Sequence, residues 1–334
     1  MKLPVMPPVQ PMLAAITKEI PPGQQYEPKW DGFRAIIFRD GDEILIGSRN
    51  TKPIERYFPE LVAALRSTLP QRCVLDGEIV IQNSDGVLDF PALQQRIHPA
   101  ESRINKLSRE TPAQFVAFDC LALGADALLE EPLSRRRKIL AGALDFTADP
   151  LVALTPATDD LELAREWFIE FEARGVEGIV AKRHDLKYLP GQRAMTKIKH
   201  VRTADCVVAG YRPYKGDAHA IGSLLLGLYT EAGELASVGI VGTFSQRRRR
   251  ELFEELQPLV TTLTGHPWAP IVDDATPVGS ASSAAAGARK PQDAAVSRWS
   301  GNKNLEFVRW RTDRDPQSCT FAQLEQPEAD KKSP

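Results

Sequence analysis

The feature that most limits what this chain can fold into is a change of pattern at Lys199. From Tyr26 to Lys199 short β-like runs alternate with helical ones. The strand candidates are Ala35–Arg39, Glu43–Ile46, Val74–Ile81, Phe115–Ala122 and Gly178–Lys182, with a hairpin-type turn at Asn83-Ser84-Asp85-Gly86. Helices are expected at Pro59–Ser67, Phe90–Ile97, Pro132–Gly142 and Leu161–Arg174. The last puts Leu161, Ala164, Phe168 and Phe171 on one face, follows the acceptor Asp159 and stops at Gly175. This reads as an α+β domain, residues 1–200, with mainly antiparallel sheets. After it come three β-rich runs, Cys206–Tyr211, Ser223–Tyr229 and Leu235–Val241, and one helix near Ser245–Leu263. Short strands at regular spacing with a single helix predict a small closed β-barrel in residues 201–334. Pro277–Ala295 is rich in Ala, Ser and Gly and marks a flexible insertion over about 270–296.

The 334 residues are enough for two cores. A net charge of −2 excludes a histone-like polycation, so contact with a nucleic acid would have to come from local basic patches. Cys73, Cys120, Cys206 and Cys319 stand far apart without a Cys-x-x-Cys pair, which argues against a zinc site or disulfide framework and fits a reducing compartment. The first sixteen residues hold several prolines and no signal-peptide core, and no apolar stretch reaches the roughly 18 residues of a membrane span. A cytoplasmic monomer is expected.

The chemistry concentrates in an ordered series of short segments. Lys29-Trp30-Asp31-Gly32-Phe33-Arg34 opens an apolar run, and Gly32 permits a tight turn near a ligand. An amine attacks only when neutral, so a nucleophilic Lys29 needs neighbouring cations such as Arg34, or a metal, to ease its deprotonation. Ser48-Arg49-Asn50 follows. Asp76-Gly77-Glu78 lies inside an apolar strand, where buried carboxylates need partners. Phe118-Asp119 lies in another. Glu177-Gly178-Ile179-Val180-Ala181-Lys182 follows the long helix, and Lys197-Ile198-Lys199 sets two cations on one face of an extended segment. Taken singly these are ordinary: Lys29 reads as a surface lysine, Phe118 as core, Glu78 as a strand-edge carboxylate and Glu27 as a solvated charge.

In register, these six motifs resemble the covalent nucleotidyltransferases, and among them the short two-domain bacterial ATP-dependent DNA ligases. The resemblance runs from about Pro4 to Leu324 and includes Gly222-Ser223-Leu224-Leu225-Leu226-Gly227 and Val241-Gly242-Thr243-Phe244. It implies a nucleotidyltransferase domain followed by an OB-fold barrel, with ATP and Mg2+ or Mn2+ as cofactors and nicked double-stranded DNA as partner. It implies that Lys29 attacks the α-phosphorus, with Arg34, Lys197 and Lys199 as catalytic cations and Arg49 as a further forked donor. Glu27 would read the adenine amino group, Phe118 would stack on the base and Glu78 would bind the ribose. Glu177, with Glu78, would hold the metal. Lys182 has the opposite strand parity to Glu177 and receives only a supporting role.

Arg311-Thr312-Asp313-Arg314 resembles the last ligase motif, which orients pyrophosphate, with Arg311, Asp313 and Arg314 as its members. Its block, Arg309-Trp310-Arg311-Thr312-Asp313-Arg314, begins at Arg309, only ten residues on from Trp299 of Ser297-Arg298-Trp299, where the short ligases have a longer β segment, so the barrel is expected to be shortened. Asp205 and Tyr211-Arg212-Pro213-Tyr214-Lys215 read either as a barrel surface near DNA, with Arg212 and Lys215 in contact, or as a solvated loop. Arg247-Arg248-Arg249-Arg250 opens a helix, against its dipole. There it is either offset by Glu251, Glu254 and Glu255 or touches phosphate through Arg247 and Arg248. The leading functional expectation is DNA nick sealing in repair, with repair polymerases or end-binding proteins as further partners. RNA ligation or capping, and a non-catalytic nucleic-acid-binding homologue, are the alternatives.

Overall fold

The computed structural model of the chain describes residues 1–143, 148–200, 203–260 and 305–325. The chain divides into two compact units, Met1–Val201 and Arg202–Pro334. The first carries two sheets. Its strands are β1 (Leu13–Ile16), β2 (Gln25–Pro28), β3 (Phe33–Asp40), β4 (Glu43–Ser48), β5 (Arg72–Val80), β6 (Gln114–Leu123), β7 (Asp126–Ala127), β8 (Val152–Leu154), β9 (Gly178–Lys182) and β10 (Arg193–Lys199). The larger sheet runs β4-β3-β5-β6-β7, antiparallel throughout, with β8 added parallel to β6. The smaller runs β1-β10-β9-β2, antiparallel except for the parallel pair β1 and β10.

The apolar run in β3 is long because both of its faces are covered. Ala35 and Ile37 face a core shared with Leu61 and Leu65 of helix α1 (Pro59–Thr68) and Leu93 of α2 (Phe90–Gln95). Ile36 and Phe38 face the other way, into a core with Met12, Tyr188 and Met195 that joins the two sheets. Each such side chain contributes about 1.5–3 kcal/mol by its removal from water. Helix α3 (Glu101–Glu110) was not anticipated: it buries only Ile104 and is otherwise polar. Helix α4 is Leu133–Ala143, and α5 (Leu161–Glu170) ends in a 3-10 turn that closes at Gly175. The cap of α5 is Asp160, not Asp159. Its carboxylate accepts from the amides of Glu162 (2.8 Å) and Leu163, which satisfies two of the free N–H groups of the first turn.

The second unit holds β11 (Val207–Tyr214), β12 (Asp217–Tyr229) and β13 (Leu235–Val241) in one antiparallel sheet, followed by α6 (Gln246–Leu256). Among the described residues this is an open three-stranded sheet, which corrects the expected closed barrel. Three strands are too few to close on themselves. Helix α6 lays Leu252 and Leu256 on Ile221 and Leu224. The returning segment 305–325 covers the far end, with Cys319 and Leu324 packed on Leu228 and Val238 and the Tyr229 amide donating to the Cys319 carbonyl at 2.8 Å. The expected insertion, about 270–296, lies outside the described residues, and the helix expected near Ser245–Leu263 ends at Leu256 in a 3-10 turn over Gln257–Leu259. All four cysteines are free, and no described helix is long and apolar enough to cross a membrane.

Candidate active site

In the first unit the antiparallel pairing of β2 with β9 brings Lys29 to Glu177. Lys29 follows directly on β2, and its backbone brackets Glu177: its amide donates to the Gly178 carbonyl (2.8 Å), and the Glu177 amide donates to the Lys29 carbonyl (2.9 Å). Gly178 sits at φ +145°, and a Cβ there would stand 2.0 Å from the Ile198 carbonyl oxygen, so only glycine fits. Gly32 is held as tightly, since its Cβ would meet the Ile79 carbonyl at 2.2 Å. The two motif glycines therefore let backbones touch at the site's floor.

Lys199 lies opposite Gly178 in the β9–β10 ladder, which places its ammonium beside Glu177. One oxygen, Oε2 of Glu177, lies 2.7 Å from Lys29 Nζ and 2.7 Å from Lys199 Nζ. Burial pushes the Glu177 carboxyl up, but the two ammonium groups outweigh it and hold the carboxyl below its ordinary value. Lys197 shares a strand face with Lys199. Its proton affinity is lowered, first by burial and then by Lys199, Lys29 and Arg49. Arg49 is exposed at the end of β4.

The opposite wall comes from the larger sheet. In the β5–β6 ladder Asp76 pairs with Asp119 and Gly77 with Ala117, so Phe118 is an extra, bulged residue. The bulge turns its ring toward Arg34, whose guanidinium carbon lies 4.3 Å from the ring centroid, and toward Lys182, whose Nζ lies 4.7 Å away. Arg34 is placed differently from the sequence expectation. Its fork is taken by the fully buried Asp76, with Nε to Oδ1 and NH2 to Oδ2 both at 2.6 Å. Tyr188 donates its hydroxyl to Asp76 Oδ2 (2.6 Å) and accepts from the Met12 amide (3.1 Å), so Asp76 is the buried anchor of Arg34. Two of the three nitrogens of the fork, Nε and NH2, are thus engaged within the protein.

Lys182, given a supporting role by the sequence, is paired with Glu27. It is nearly inaccessible and donates to Glu27 Oε2 at 2.5 Å, while Gln25 Nε2 donates to Glu27 Oε1 at 2.7 Å. Strand parity did not exclude it, because Glu177 precedes β9 and Gly178 turns the chain between them. Trp30 was also passed over, and its indole Nε1 donates to Thr155 Oγ1 at 2.8 Å.

Glu78 is opposite Arg34 across β3 and β5. Burial raises its carboxyl to about 7 from an ordinary 4.5, against the pull of Lys29 and Arg34. Between those values the unfolded chain releases a proton that the folded chain keeps, so folding loses stability as pH rises from about 4.5 through 7. Glu78→Gln is expected to lack that loss. Denaturant unfolding at pH 5 and pH 8 should show the variant gaining roughly 2 kcal/mol on wild type at the higher pH.

In the second unit the remaining candidates are tied internally. Asp205 Oδ2 accepts from Arg311 NH1 (3.0 Å) and Arg314 NH1 (2.5 Å), and Arg311 also chelates Asp313. Arg247 pairs with Glu251 at 2.6 Å, and Arg248 with Glu251 (3.2 Å) and Glu255 (2.5 Å), while Glu254 makes no such pair among the described residues. Arg249 donates to the carbonyls of Ile221, Gly222 and Gly242. Lys215 is exposed in the β11–β12 turn, and Arg212 is half-buried on β11.

A family model described as the ATP dependent DNA ligase domain matches residues 11–199. The chain belongs to the ATP-dependent DNA ligases. DNA ligase C of Mycobacterium tuberculosis is 52% identical over 98% of this ligase and 96% of that one. Their alignment has 357 positions against 334 residues here, so the relative carries at least 23 residues with no counterpart in this chain (357 − 334). The M. tuberculosis multifunctional non-homologous end joining DNA repair protein LigD is 34% identical over 71% of this ligase and 29% of its own length. A solved Lig E DNA ligase, 22% identical with a TM-score of 0.50, covers 72% of this chain and 87% of that one and shares its fold.

Proposed function

We propose that this ligase seals nicks in double-stranded DNA with ATP, and that Lys29 carries the adenylate. The single observation that supports it most is the Glu177 oxygen shared by Lys29 and Lys199 at 2.7 Å each, with Lys197 beside them. This is a nucleophile set among phosphate-binding cations. In the first step Lys29 Nζ forms a bond to the α-phosphorus, its proton is lost, and pyrophosphate leaves. The adenylyl group then passes to the 5′-phosphate of the nick, and the 3′-hydroxyl attacks that phosphorus and expels AMP. Such chemistry depends mainly on positioning and charge neutralisation. Lys197 and Lys199 neutralise phosphate oxygens and Arg49 adds a forked donor at the rim.

Phe118 stacks on adenine, Glu27 accepts from the base amino group, and Glu78 binds the ribose. Arg34 positions the Phe118 ring through Asp76 and Tyr188. The acidic donors here are Glu177 and Glu78, and no cluster of three or more candidate metal ligands stands among the described residues. That donor set suits Mg2+ or Mn2+, which bind through one or two carboxylates together with substrate phosphates. The metal would supply charge neutralisation at the phosphates when bound. The second unit is read as a shortened OB-fold domain, with Arg212, Lys215, Arg247 and Arg248 as its DNA-facing cations. The likeness to an end joining protein supports a place in DNA repair, with end-binding proteins as partners.

The test is incubation with labelled ATP and Mg2+ or Mn2+, followed by peptide mapping and by sealing assays on nicked duplexes. The expected label is one AMP on the peptide carrying Lys29, with sealing of DNA strands. Labelling by GTP in preference to ATP would favour capping, and sealing confined to RNA strands would favour RNA ligation. Normal nick binding without labelling or sealing would leave a nucleic-acid-binding homologue.

A further inference from the structure

The helix that buries Arg136 also carries a second arginine whose hydrogen bonding is incomplete. Arg136 makes four bonds: two to Asp119 (2.8 and 2.9 Å) and one each to the carbonyls of Glu131 and Leu186. Its neighbour Arg137 donates NH2 to the Thr155 carbonyl, while NH1 is enclosed and has no partner among the described residues. A buried donor left unpaired costs about 1–3 kcal/mol, so its retention calls for a ligand.

The surroundings of Arg137 point to which ligand. Thr155 is fully buried, and its amide donates to Ala117, the residue before Phe118. Its hydroxyl accepts from Trp30, the residue after Lys29. The guanidinium is thus anchored between the strand that presents the stacking ring and the turn that presents the nucleophile. The carboxylates whose fields reach it are Glu27 and then Asp119, and Asp119 is already committed to Arg136. What remains near Arg137 is the carboxylate proposed to read the adenine amino group.

We infer that Arg137 is a specificity-determining residue for the nucleotide base, its NH1 donating to a ring nitrogen that flanks the adenine amino group. This rests on the base-reading role proposed for Glu27 and Phe118. The amino group of adenine is a donor with an acceptor nitrogen on either side, N1 and N7. An acceptor from Glu27 beside a donor from Arg137 complements that edge. Guanine presents an oxygen in place of the amino group and a proton on N1, so the same pair would meet it with acceptor against acceptor. Missing one partner in a site built for hydrogen bonding is a strong discriminator.

Equilibrium binding to the full chain, without divalent metal, tests this with ATP, 1-deaza-ATP, 7-deaza-ATP and GTP. Wild type should bind one of the two deaza analogues about tenfold more weakly than ATP. Arg137→Met should bind ATP about tenfold more weakly and treat ATP and that analogue alike, and Arg137→Lys should recover part of the difference. The inference is overturned if wild type binds both deaza analogues as tightly as ATP, or if Arg137→Met keeps the full discrimination. Should Arg137→Met not fold, the wild-type comparison and Arg137→Lys decide the matter in the same way. No covalent step is read here, so unlabelled Lys29 with intact deaza discrimination would sink the sealing proposal and leave this one standing. Labelled Lys29 without discrimination would do the reverse.

Discussion

Lys29→Ala is expected to take up no labelled AMP and to lose sealing of an ordinary nick by at least about a thousandfold. The variant should remain folded. Lys29 is part-exposed, and Glu177 keeps Lys199 as its partner at 2.7 Å, so removing one of two ammonium groups should change stability by no more than about 1 kcal/mol. Sealing of a nick that already carries AMP on its 5′-phosphate should survive, because that step needs the cations and not the nucleophile. Gel labelling and single-turnover sealing of the two substrates would check this. If Lys29→Ala labels as wild type does, another residue is the nucleophile.

Asp119→Asn carries the largest expected effect on stability. Asp119 and Arg136 are buried together, with relative exposures of 2% and 0%. Removing the carboxylate's charge leaves a guanidinium uncompensated in a low-dielectric core, which costs about 3–5 kcal/mol. The matching double change, Asp119→Leu with Arg136→Met, should recover most of that loss, because a buried ion pair is often no more stabilising than well-packed apolar residues. Denaturant unfolding of the single and double variants would check both. An Asp119→Asn variant as stable as wild type would mean that the Arg136 charge finds its counterpart elsewhere.

How much of this site could be read in the sequence depended on how local its cause was. Lys197 and Lys199 were legible as neighbours because a strand sends alternate residues to one face, and the regular β9–β10 ladder obeys that rule. Asp76 was legible as a buried charge in need of a partner, since the apolar residues Cys73, Val74 and Leu75 lead into it and none could satisfy it. That the partner is Arg34, 42 positions earlier, follows only from the β3–β5 register. Lys182 and Glu177 were read as lying on opposite faces because counting parity assumes a regular strand, whereas the chain between them passes through Gly178 at φ +145°. Trp30 and Arg137 left no signal, because both meet at Thr155, more than a hundred residues from Trp30 along the chain. In the second unit the short runs showed three strands correctly, but the number of strands in a sheet depends on pairing over long separations, which local pattern does not encode.

The bulge at Phe118 has a consequence for how this gene can vary. Deleting Ala117 would put Phe118 in its place opposite Gly77, removing the bulge at this point and leaving the strand's composition almost intact. It would also swing the aromatic ring to the opposite side of the sheet, away from Arg34 and Lys182. Selection therefore acts on the length of this strand as strictly as on its side chains, so in-frame single-codon losses here should be purged as severely as loss of the nucleophile itself.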